Sequence, residues 1–127
     1  MMINKVTTLT EAVKLVREGD MLALGGMTLY RRPVAFVREL IRQGTGDLTL
    51  LAFTASFASD LLVGAGLVSR VRSCYFGMEA FGLAPMFTKL ATAGEVKVIE
   101  ETEASIAFGL RATLAGVGFM PGQGWLE

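Results

Sequence analysis

Histidine is missing from all 127 residues, and with it go Ser-His-Asp and Cys-His machinery and most zinc sites. Cys74 is the single cysteine, so no disulfide closes within the chain. Its strand-like neighbours suit a small buried residue better than a nucleophile, and a cytoplasmic setting is the expectation. Charge of one sign is not in surplus, with 12 Lys plus Arg against 12 Asp plus Glu. Binding to phosphates or an anionic membrane draws on a basic excess, so neither nucleic acid nor a membrane is expected as partner. Long apolar runs are scarce as well. The longest uncharged stretch, 112–126, is 15 residues and is broken by Gly116, Gly118, Pro121 and Gly122, short of the ~20 mostly apolar residues that span a bilayer. The start MMINKVTTLTEAVKLVREGD is charged throughout and lacks the apolar heart of a secretory signal. A G-x-G-x-x-G and a phosphate-loop GK[ST] are both lacking, which disfavours a dinucleotide-binding domain. Acid–base or nucleophilic work is left to carboxylates, lysines and hydroxyls.

What is there is apolar. Hydrophobic residues make up 52% and mean hydropathy is +0.50, greasier than an ordinary domain of roughly 45–50% apolar residues counted with glycine. The length suits one domain spanning 1–127, and the extra apolar surface is expected to meet another subunit. The C-terminal GVGFMPGQGWLE, with exposed-looking Phe119, Met120 and Trp125, finishes in neither strand nor helix. The chain is therefore expected to be a piece of a larger unit, either a truncated product or a half that needs a partner.

Between these limits helix and strand patterns alternate. TLTEAVKLVREG predicts a helix: Thr8 and Glu11 make a T-x-x-E capping box, Ala12, Leu15 and Val16 form the apolar face, and Gly19 stops it. MLAL is a strand ending at Gly25-Gly26. RPVAFVRELIRQG is a helix with Pro33 in its first turn, Val34, Val37, Leu40 and Ile41 inward, Arg38, Glu39 and Arg42 outward, and Gly44 closing it. DLTLLAF, RVRSCYF and VKVI read as further strands, and SDLLVGAG, PMFTKLATAG and TEASIAFGLRATLAG as further helices. Such alternation implies an α/β fold with a parallel sheet of about four strands, flanked by helices and joined by right-handed crossovers.

Ligands of open α/β sheets bind outside the carboxyl ends of the strands, which nominates four stretches. After the first strand, Gly25, Gly26 and Met27 let backbone N–H groups approach an anion or a developing oxyanion, with Arg31 and Arg32 close behind; a plain turn with solvated arginines is the competing reading. Thr54 and Ser56 follow the second strand. Glu79 follows the third, in a run of aromatics and methionines that suits packing better than an acyl pocket. The fourth ends in Glu100, Glu101 and Glu103. Carboxylates at a helix start are stabilised by the dipole by about 0.3–1 kcal/mol each, and Thr102 would cap the helix. Three acids in four positions also repel, which is expected to raise the pKa of the most buried one. Cap and active site stay level on pattern alone. If Glu103 opens the helix, it faces back toward the strand end while Glu100 and Glu101 diverge, making Glu103 the better candidate.

The segments GDMLALGGMTLYRRPVAFVRELI, LLVGAGLVSRVRSCYFGMEAFGLAPMF and EETEASIAFGLRATLAGVGFMP resemble, in order and spacing, the front part of the alpha subunit of family I coenzyme A transferases, nearest the glutaconate CoA-transferase-like branch. The resemblance implies a Rossmann-like open three-layer fold of the CoA-transferase or NagB-RpiA kind. It also implies a hetero-oligomer formed with a beta subunit, or a homodimer of the fragment, with the active site in the cleft between subunits. The implied activity moves coenzyme A between carboxylic acids through a mixed anhydride and a glutamyl thioester. Acyl-CoA is then a substrate, and no permanent cofactor is needed. Gly25, Gly26 and Met27 match the family's oxyanion loop. Arg31, Arg32, Thr54 and Ser56 are the substrate-binding candidates. The attacking glutamate normally lies in the beta subunit, but ETEAS replaces the hydroxyl- and glutamine-bearing segment of the succinyl-type pattern. In a related branch of CoA-ester hydrolases acting on cyclic substrates, a glutamate that aligns with Glu103 comes from the alpha subunit. Transfer, hydrolysis and, for the chain alone, a non-catalytic interaction module are the resulting alternatives.

Overall fold

The computed structural model describes residues 5–123; Trp125 lies outside them. Four strands, β1 (Met21–Ala23), β2 (Leu48–Ala55), β3 (Val68–Phe76) and β4 (Lys97–Glu100), form one sheet in sequential order with every pair parallel. Helices α1 (Leu9–Val13), α2 (Val34–Gln43), α3 (Phe57–Gly64), α4 (Pro85–Thr92) and α5 (Glu103–Ala115) alternate with them.

Sequential order has a geometric consequence. Right-handed crossovers that always step in one direction put every crossover helix on one face, and α1 to α4 pack in a row, each against the next. The core lies beneath that row: Leu48, Leu50 and Val71 from the strands meet Val13, Val37, Leu40, Leu62 and Val63 from the helices, all fully buried. Each such side chain contributes about 1.5–3 kcal/mol by leaving water. The second face holds the side chains of opposite parity, among them Leu51 and Arg72, and among the described residues α5 is the helix that crosses it.

Local chemistry accounts for the boundaries. Pro33 precedes α2, and Gly44 ends it in the left-handed conformation with its N–H on the Leu40 carbonyl. α4 starts on Pro85, and its first turn is capped from outside by Asp60 of α3, whose carboxylate accepts the Met86 and Phe87 N–H groups at 3.3 and 2.7 Å. At α5 the cap is Thr102, as expected. Its hydroxyl accepts the Ser105 N–H at 3.0 Å while the Ser105 hydroxyl accepts the Thr102 N–H at 2.9 Å.

Several expectations shift. α1 spans five residues and buries Val13, leaving Leu15 79% exposed; the chain leaves the α-helix at Lys14 by tighter turns, which rotates the apolar face. Only half of its capping box forms, because the Glu11 carboxylate takes the Lys14 ammonium at 2.7 Å. Glu39, expected outward, is 12% exposed at its side chain and accepts hydrogen bonds from Arg42 and Gln43. The Arg42 bond comes first among the causes that hold its pKa at about 2. Helix α3 begins at Phe57, so Ser59 and Asp60 sit buried inside it. Thr54 and Ala55 belong to β2 itself.

Candidate active site

The glycine loop is built by a bridge. Met27 and Tyr30 exchange two backbone hydrogen bonds, 3.1 and 2.7 Å, around Thr28 and Leu29. Thr28 sits at φ 42° and donates its N–H to the Thr54 hydroxyl at 3.0 Å. The fold back brings the Tyr30 and Arg31 carbonyls so close to Gly26, at φ +98°, that a Cβ there would lie 2.7 Å from both oxygens. Only glycine fits. The Met27 N–H is taken up by the bridge. The Gly25 and Gly26 N–H groups, on exposed backbone, have no acceptor among the described residues. They are the donors the loop has to offer.

Of the two arginines, Arg32 turns inward. Its guanidinium donates to the carbonyls of Thr28 at 2.5 Å, Gly25 at 3.0 Å and Leu24 at 3.4 Å, and to the Thr54 hydroxyl at 3.4 Å. Burial lowers its pKa. It ties the loop to the sheet and has little left for a substrate carboxylate. Arg31, exposed and at φ 54°, has no side-chain partner among the described residues. Thr54 is buried and also meets the Met27 sulfur at 3.4 Å; Ser56 is fully buried against the Met78 sulfur at 3.5 Å. Both hold loops together. Glu79, exposed at φ 55°, donates its N–H to the Tyr75 hydroxyl at 3.2 Å.

The acidic cluster separates cleanly. Glu100 is the exposed last residue of β4, paired in register with Ser73. Glu101 is 9% exposed and its carboxylate takes the Arg72 Nε–H and the Ser105 hydroxyl. Burial, the largest influence, pushes Glu101 up, but the bonds from Ser105 and Arg72 and the Arg72 charge outweigh it and hold the group below its ordinary value. The expected upward shift of the most buried acid is therefore reversed, because a cation and a hydroxyl were waiting for it. Glu103 is the first residue of α5, exposed, and without a side-chain partner among the described residues. Its charge is felt at Cys74 of β3, whose thiol is pushed up by burial first and by Glu103 next. The thiol itself donates to the Phe53 carbonyl at 2.6 Å.

The loop and the acids begin at opposite edges of the sheet, about 14 Å apart at the usual strand spacing. The loop leans inward onto Thr54 of β2, and the charge of Glu103 reaches Cys74 of the adjacent β3. The ends of β2 and β3 form the floor between them. Arg72, Ser105 and Thr28 were not singled out by the sequence. Two arginines at alternate positions of β3, Arg70 and Arg72, were the available sign that a strand face awaited acid.

The family profile described as Coenzyme A transferase matches residues 6–122. The chain belongs to the coenzyme A transferase family. Within it, the chain is 36% identical over 121 residues to a glutaconate CoA-transferase subunit of Acidaminococcus fermentans, covering 94% of this chain and 38% of that protein. The solved structure of that transferase superposes with a TM-score of 0.87 over 95% of this chain and 40% of the other. A cholesterol ring-cleaving hydrolase IpdA subunit of Rhodococcus jostii is 34% identical over 122 residues, 93% of this chain and 40% of that protein. The decarboxylase AibA/AibB matches at 30% identity with a TM-score of 0.86, over 91% of this chain and 45% of the other. This transferase-family chain thus spans about two fifths of the length of these two curated relatives. The α/β fold and the alpha-subunit likeness expected from the sequence both hold. No helix among the described residues is long and apolar enough to cross a membrane.

Proposed function

We propose that this chain is the alpha-subunit portion of a coenzyme A transferase that moves coenzyme A between carboxylic acids, with a beta subunit completing the site. The observation that carries the reading is the presence, along the carboxyl ends of the strands, of two free N–H donors at Gly25 and Gly26 and of an exposed, unpartnered carboxylate at the first position of α5, Glu103. In the proposed reaction the carboxylate attacks the thioester carbonyl, its C–S bond breaks, and coenzyme A leaves as thiolate while a mixed anhydride forms. The thiolate then attacks the glutamyl carbonyl, releasing the first acid and leaving a glutamyl thioester, from which a second carboxylate collects coenzyme A by the reverse sequence. N–H groups aimed at the oxyanion lower the barrier in each addition. Arg31 is the candidate partner for the carboxylate end of an acid. A rim of exposed apolar side chains, Met27, Tyr30, Phe57, Tyr75, Phe81 and Leu83, surrounds this edge and supports burial against a partner subunit.

Incubating the assembled protein with an acyl-CoA, reducing with borohydride and mapping the product by mass spectrometry is the test. Reduction of Glu103 is expected, and modification of a partner-subunit glutamate would take the nucleophile's role away from it. A second reading, CoA-ester hydrolysis, draws on the openness of Glu103 to water and on a relative that is a hydrolase, though one named for ring cleavage; there Glu103 takes a proton from the attacking water. Free acid and coenzyme A without exchange into added acetate or succinate would replace transfer by hydrolysis.

A further inference from the structure

We infer that Arg72 and Glu101 are positioning residues that fix the first turn of α5 and so aim Glu103, an inference that rests on the reading of Glu103 as the attacking group. The connection is continuous. Arg72 stands on β3, where both neighbouring strands hold it in register. Its Nε–H is donated to one oxygen of Glu101, and the other oxygen accepts the Ser105 hydroxyl. A hydroxyl has one proton, so by donating it to the carboxylate Ser105 leaves its lone pairs for the Thr102 N–H at 2.9 Å. The Ser105 N–H closes the box on the Thr102 hydroxyl at 3.0 Å. Glu103 lies inside that box, between the two residues that make it.

Little else holds this end of the helix. Of α5 only Ile106 and Ala112 are buried, and its main contact with the sheet is to β3. A cap alone fixes the helix to its own N-terminal residue. The Arg72–Glu101 pair fixes that cap to the central sheet, across 29 residues of sequence. Charge sharing divides the labour: Glu101 is occupied by Arg72, which leaves Glu103 unpaired at the surface.

The test uses the full-length protein assembled with its partner, assayed for exchange between acetyl-CoA and added carboxylic acids. Arg72→Met is expected to lower kcat about tenfold or more with KM changed less than about twofold, since reacting groups moved by an ångström lose rate before they lose binding. Arg72→Lys should restore part of the loss. Should Arg72→Met fail to fold with Glu101 left alone, Arg72→Met/Glu101→Gln removes both charges and is expected to show the same kcat defect. Hydrogen exchange at the Ser105 and Ile106 amides should quicken in these variants while β2 amides stay protected. Wild-type kcat, a loss confined to KM, or unchanged exchange at Ser105 would each overturn the inference. Glu103→Gln separates the two levels: full turnover there removes Glu103 from the chemistry, whereas an inactive Glu103→Gln beside a fully active Arg72→Met overturns the positioning role alone.

Discussion

Replacing Gly26 by alanine tests the loop at the point where geometry is tightest. The residue sits at φ +98°, and an added Cβ would lie 2.7 Å from the Tyr30 and Arg31 carbonyl oxygens. A non-glycine residue in so sparsely populated a region costs about 1–3 kcal/mol. Both colliding atoms are backbone, so relief comes only by opening the loop, which breaks the Met27–Tyr30 pair of hydrogen bonds at about 1 kcal/mol each. Whichever route is cheaper, about 2–4 kcal/mol of local strain is expected. The neighbouring substitution is the control. Alanine at Gly25 meets no atom within 4 Å, and the residue is outside the positive-φ set, so a change within about 0.5 kcal/mol is expected. Urea midpoints of the two variants should differ accordingly. Opening the loop also swings the Gly25 and Gly26 N–H groups away, and loss of one oxyanion donor lowers kcat by roughly 10²–10³. Acyl exchange by the assembled protein should fall that far in Gly26→Ala and stay within a few-fold in Gly25→Ala. Equal midpoints and equal rates in the two would refute both the strain argument and the assignment of the donors.

Asp60→Ala removes the acceptor for two N–H groups at the start of α4 and should cost about 1–2 kcal/mol by urea denaturation, with Asp60→Asn recovering part of it. Val13→Ala should cost about 1.5 kcal/mol for the methyl groups lost from a fully buried site, whereas Leu15→Ser should stay within about 0.5 kcal/mol; the reverse ranking would restore the helix face expected from the sequence. Glu39 and Glu101 both have folded pKa values below the ordinary 4.5, Glu39 at about 2. The folded state therefore binds fewer protons than the unfolded one. The stability these groups contribute is complete above pH ~4.5 and is lost as pH falls through their folded values. Melting temperatures followed from pH ~7 to ~3 should drop less steeply below ~4.5 in Glu39→Gln/Glu101→Gln than in the parent.

The fold was legible because its signals are local and repeat. Helix α2 announced itself through a 3.6-residue apolar period and Gly44, while Pro33, expected in its first turn, stands one position earlier, before the helix begins at Val34. α1 failed the same logic for a local reason: five residues are too few for periodicity to fix a face, and the turns after Lys14 turned Leu15 outward. Strand order was not legible at all. Alternating elements imply parallel pairing, but nothing in a single segment tells β1 to β4 to lie in sequence. That order is what crowds α1 to α4 onto one face and, among the described residues, leaves the other to α5. Arg32 shows the matching limit at the site. A basic residue beside a glycine turn looks like an anion clamp, yet its guanidinium is occupied by carbonyls of the loop it follows.

The acidic cluster marks where sequence reasoning stopped short and how far parity would have carried it. Arg72 is in register with Ile99. Side chains two apart along a strand share a face, so Glu101 continues the face of Ile99 and Arg72 while Glu100 points to the other side. One pairing therefore decides which acid meets the arginine. The helix that begins at Glu103 breaks the alternation, which frees its first residue from the strand's parity and turns it outward at the sheet edge. Local pattern supplied three neighbouring charges. A strand register set by residues far earlier in the chain made one of them a brace, one a solvated strand end and one a free carboxylate. The single-sequence preference for Glu103 rested on where a helix would start, and the geometry adds that Glu101 is occupied by Arg72 and Ser105 while Glu100 lies in register with Ser73, on the other face of β4 from Ile99.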